Sequence, residues 1–111
     1  MIPKHALYVR EKLSTAIRKL ATHPGKIKDR LGYAAADLLR TPKDGLPDYD
    51  AVANDIAWIH VQLTSRDETY EGEGRLAATL RSMRAKQAAD IVDRVILAHA
   101  KLDYFIAGGK P

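Results

Sequence analysis

The stretch AKQAADIVDRVILAHAKLDYFIA, residues 85–107, settles the class of structure. Ala88, Ile91, Val92, Val95, Ile96, Ala98, Leu102, Phe105 and Ile106 recur at three- and four-residue steps, which is the period of a helix and not of a strand. They cover much of the girth. A stripe that wide belongs to a central helix touching several neighbours, or to one that also serves a subunit interface. Asp93, Arg94, His99, Lys101 and Asp103 break the apolar run, so it does not suit a membrane span of about 20 mostly apolar residues. Gly108 and Gly109 end the helix, and the tail from about 108 to 111 is expected to fray.

Upstream, the same period appears four more times. Leu76, Leu80 and Met83 predict a short helix over about 75–83. Val52, Ile56, Ile59 and Leu63 predict one over about 49–63, with Asp48 or Asp50 as its cap. Ile27, Leu31, Ala34, Ala35, Leu38 and Leu39 mark a helix over about 26–40. Ala6, Val9, Leu13, Ala16, Ile17 and Leu20 mark one over about 4–21, with Pro3 where a first turn tolerates proline. Breaks fall at Thr22–Gly25, at Thr41–Pro47 and over the polar segment Thr64–Gly74. Nothing alternates with period two over a useful length. The expectation is a single all-α domain over residues 1–111, a compact antiparallel bundle of four to five helices with a flexible acidic loop at about 64–74.

Charge is distributed unevenly along this frame. Residues 1–43 carry ten Lys or Arg against three acids, residues 44–73 eight acids against Arg66, and residues 74–111 seven bases against three acids. The segments are therefore +7, −7 and +4 within a net +4. Polarised charge selects partners and speeds encounter; it does not determine a fold. Cysteine is absent, which removes disulfides, thiolate nucleophiles and Cys-based zinc sites. Arg10, Glu11 and Lys12 interrupt the place where a signal peptide would be apolar. A soluble, cytoplasmic protein with no membrane partner is expected.

Two groups of residues stand out as binding candidates. The acidic segment offers Asp67, Glu68, Tyr70, Glu71 and Glu73 within seven residues, and Trp58 lies off the apolar seam of its helix. Carboxylates and an aromatic ring on an adaptable loop suit docking onto a Lys- and Arg-rich surface, on a protein or a nucleoprotein complex. The plainer alternatives are a solvated loop and a tryptophan that closes the edge of its seam. The other group is basic: Lys12, Arg18, Lys19, Lys26, Lys28 and Arg30 around the first turn, with Arg75, Arg81 and Arg84 further on. It is the footprint of a nucleic-acid-binding alternative, set against the simple reading of a solvated helix face.

Signals for chemistry are weak. Residues 75–97 resemble a helix-turn-helix poorly, because the turn lacks glycine and the following helix is too long. Gly72-Glu73-Gly74-Arg75 lacks the Lys-Ser/Thr of a phosphate loop. The acidic segment does not match a calcium loop. His5, His23, His60 and His99 have no ligand spacing, and Ser14, Ser65 and Ser82 have no nucleophile-elbow context. No catalytic residue, metal or cofactor is expected.

Arg10-Glu11-Lys12-Leu13, Ile27-Lys28-Asp29-Arg30-Leu31 and the run Gly72-Glu73-Gly74-Arg75-Leu76-Ala77-Ala78-Thr79-Leu80-Arg81-Ser82-Met83 resemble small all-helical proteins encoded in bacterial genomes and on phages. That resemblance implies a helical bundle and carries over no catalytic residues. Size and charge add an analogy with phage-borne inhibitors of CRISPR and other host defences, which often act by stoichiometric binding. The leading expectation is a non-enzymatic binding protein. A nucleic-acid accessory protein and a self-associating homodimer are the alternatives.

Overall fold

The computed structural model describes residues 4–42 and 49–109. It contains α1 (Lys4–Thr22), α2 (Ile27–Arg40), α3 (Asp50–Leu63), α4 (Arg75–Ser82) and α5 (Ala85–Ile106), with no strand among the described residues. Each boundary lies within a residue of the expected one. Pro3, the breaker residues 43–48 with the expected cap Asp48, and Lys110 and Pro111 lie outside the described residues.

Local chemistry explains the helix ends. At the α1–α2 turn Gly25 has φ +104°, and a Cβ there would come within 3.0 Å of the Asp29 carboxylate. That carboxylate accepts the Lys26 N–H at 3.1 Å and so closes the start of α2. Arg30 donates to the carbonyl of Leu20 at 3.2 Å and closes the end of α1. Asp50 is the first residue of α3 and not its cap; Tyr49 holds that position without a side-chain hydrogen bond. Gln87 accepts the Arg84 N–H at the start of α5. At the other end Gly108 (φ +100°) donates to Phe105 O and Gly109 to Tyr104 O, the paired bonds of a Schellman ending. These two glycines are bonded into the helix end where a frayed tail was expected to begin.

The stripes meet in one core. Leu13, Leu31, Leu38, Ile56, Ile59, Leu63, Ile91, Val95 and Leu102 are buried in it. Side-chain pairs give the helix directions. Lys19 of α1 meets Asp37 of α2, Ser14 of α1 meets His99 of α5, and Tyr49 before α3 stacks on Phe105 near the end of α5 at 5.1 Å. A second pair in each case, His23 with Tyr33, Arg10 with Asp103 and Asp55 with Lys101, shows one residue number falling as the other rises, so α1–α2, α1–α5 and α3–α5 run antiparallel. α5 packs on α1, α2 and α3, and α4 lies on α3. The wide stripe of α5 thus belongs to a central helix. Ile96 departs from the expected core: it is 50 % exposed. Tyr8, Tyr33 and Tyr104 are also exposed.

Candidate functional site

The acidic loop is held together by its own side chains. Glu73 is the centre. One carboxylate oxygen accepts from the Thr69 N–H at 2.9 Å and the Thr69 hydroxyl at 3.0 Å, and the other accepts from Arg81 Nε at 2.9 Å. Arg81 also donates to Thr69 Oγ1 at 3.0 Å. The Glu73 side chain is only 2 % exposed, yet it is covered by these few partners and not by the core. The Arg81 guanidinium, helped by the Thr69 N–H, holds its carboxyl down at about 2 against an ordinary 4.5. The same contact raises the pKa of Arg81. Glu68 accepts the Gly74 N–H at 2.9 Å, and Arg66 N–H donates to the buried Thr79 hydroxyl at 3.0 Å.

The expected partner-binding residues therefore divide. Glu73 and Glu68 shape the loop. Asp67 pairs with Arg75 at 3.0 Å in full solvent, a contact of small energetic weight. Tyr70, 65 % exposed, and Glu71 stand clear of these bonds.

Trp58 is half-buried against the core, and the Arg94 guanidinium lies over its ring at 4.4 Å. It does close the edge of its seam, but it also borders an open groove along α5. Beneath it, Asp55 is buried. Its two oxygens accept from Arg94 at 3.2 Å and Lys101 at 2.9 Å, joining α3 to α5. Asp55 was not among the expected site residues.

The basic group does not form one free patch. Lys19 Nζ lies 2.6 Å from the buried Asp37, Lys28 donates to Arg81 O, and Arg30 closes α1. Lys12 lies over the Tyr8 ring, and Arg75 and Arg81 pair with loop acids. Arg18, Lys26 and Arg84 remain exposed without an ion pair among the described residues. Next to this corner His23 and Tyr33 stack at 4.1 Å.

One constellation was not foreseen. Ser14 Oγ and His99 Nε2 are 2.8 Å apart, while Asp103 lies 3.5 Å from His99 Nδ1 and 3.5 Å from Arg10. The residue types are those of a hydrolytic triad, but the His–Asp distance exceeds a hydrogen bond. Ser14 also sits in mid-helix, where neighbouring amides are bonded within α1 and offer no oxyanion donors. The arrangement ties α1 to α5. His60 makes a similar tie, 2.9 Å from the Leu38 carbonyl. Among the described residues no group of three His, Cys, Asp or Glu is placed to hold a metal ion, and no helix is long and apolar enough to cross a membrane.

Fold and surface define an all-α bundle whose charged side chains mostly close its own turns and helix contacts. Comparison with protein families, curated proteins and solved structures gives no match for this chain.

Proposed function

We propose that this chain is a non-enzymatic, cytoplasmic binding protein that docks on the basic surface of a macromolecular partner through its acidic loop. One observation carries the reading: Glu73 and Arg81 hold the loop in a fixed form while Tyr70 and Glu71 project from it. A preformed loop loses less conformational entropy on binding, and an exposed tyrosine beside a carboxylate suits an arginine- or lysine-rich face. Where that face is a nucleic-acid channel, the outcome is competitive inhibition, in keeping with the analogy to phage-borne inhibitors.

The test is capture by the tagged chain from host lysate treated with nuclease, alongside Y70A/E71K. Glu73 is left intact so that the loop keeps its shape. A stoichiometric protein retained by the wild type and lost by the variant is the expected result. Equal retention by both, or recovery only through nuclease-sensitive material, overturns the reading.

A further inference from the structure

The groove between Trp58 and the outer face of α5 is built differently from the loop. Ile96 and Leu97 line it at 50 % and 47 % exposure, with Ala100 beside them and Asp90 and Asp93 toward the start of α5. Its wall is rigid. Trp58 packs on the core on one side and under Arg94 on the other, and Arg94 is fixed by Asp55.

Charge and length then define the occupant. Arg94 and Lys101 share the single carboxylate of Asp55, which leaves one positive charge there, whereas Asp90 and Asp93 form no ion pair among the described residues. Lys86 shares the outer face one turn before Asp90 but does not line the groove. Two carboxylates outweigh the one positive charge left beside Asp55, so the groove is net acidic toward the start of α5 and apolar at its other end. From Asp90 to Ala100 it follows α5 for about 15 Å, roughly three helical turns. An extended peptide there would find no sheet edge for its backbone groups; a helix brings its own hydrogen bonds. Ala100 leaves room for a close approach.

We propose that this groove receives an amphipathic helix of the partner, with a lysine or arginine one turn from a leucine-like residue, the cation facing Asp90 and Asp93. The proposal rests on the reading of the chain as a binding protein, though not on the acidic loop.

Trp58 is the chain's single tryptophan, so its emission reports on this groove alone. The probe is a synthetic alanine-based helical peptide with leucine and lysine on one face, compared with the same peptide carrying glutamate for lysine. The expected result is a saturable blue shift with the lysine peptide only. D90K/D93K, at two exposed positions and with unchanged helical circular dichroism, should weaken that binding about tenfold and accept the glutamate peptide instead. Y70A/E71K should leave both titrations unchanged, which separates this groove from the loop. No saturable shift with either peptide, or equal response to both, overturns the proposal. So does a blue shift on raising the protein concentration alone, which assigns the face to a second copy.

Discussion

Asp55 and Glu73 are both nearly closed to solvent and both accept from cations, yet they hold the molecule at different scales. Asp55 sits under the α3–α5 contact, and its partners lie 39 and 46 residues away. Glu73 is wrapped by Thr69 and Arg81, four and eight residues away, over an open loop. Removing the first leaves two cations facing an apolar helix contact. Removing the second frees a loop that the core does not support. A carboxylate's structural weight follows from what its partners connect, as much as from its exposure.

The strongest attempt to break that comparison is D55A. Arg94 and Lys101 are each about one-third exposed, so water relieves part of their loss. A destabilisation of about 2–3 kcal/mol is expected, read by urea unfolding. A change below about 0.5 kcal/mol, the size of an ordinary surface substitution, would show that the pairing is incidental.

G74A probes the loop through its backbone. Gly74 has φ +81° and ψ 155°, a region closed to side chains, although no atom would obstruct a Cβ. Strain of about 1–2 kcal/mol is expected, with faster amide exchange at Thr69 and little change at the core of α5. Exchange spreading into α5 would mean that loop and core unfold together.

S14A separates distance in sequence from burial, because the Ser14–His99 contact joins distant helices in solvent. About 0.5–1 kcal/mol is expected. An effect as large as that of D55A would make reach along the chain the deciding factor.

The smallest global effect belongs to E73Q. The carboxyl is held at about 2 in the folded loop against 4.5 ordinarily, so its contribution is complete above about 4.5. It declines as the pH falls below that value and is lost below about 2. Amide exchange at Thr69, corrected for its intrinsic pH dependence, should accelerate across that window in the wild type. E73Q should lack this step while its melting temperature at pH 7 stays near that of the wild type. A retained step would assign the titration to another group.

The helices were legible because their signals are local. Three- and four-residue apolar steps ending at Thr22–Gly25, Thr64 and Gly108 fix each element's position. The buried acids were less visible, although their positions carry a sign. Asp55 falls three residues after Val52 and four before Ile59, and Asp37 falls three after Ala34. Both sit on apolar seams, where an acid needs a partner within the core. Which partner it finds could not be read. Arg94, Lys101 and Lys19 look like any other surface cations in sequence. The loop divided in the same way. Its acidity was plain, but the different roles of Glu73 and Glu71 depend on where α4 brings Arg81.

Periodicity, glycine and charge order, all properties of neighbours along the chain, were enough to specify five helices and a polarised charge pattern. The packing of α3 and α1 on α5 buried Asp55, exposed Ile96 and brought Ser14 to His99. It also paired much of the charge that the linear pattern left free. Coulombic and hydrogen-bond energies depend on separation in space, and a one-dimensional pattern of charge does not contain that separation.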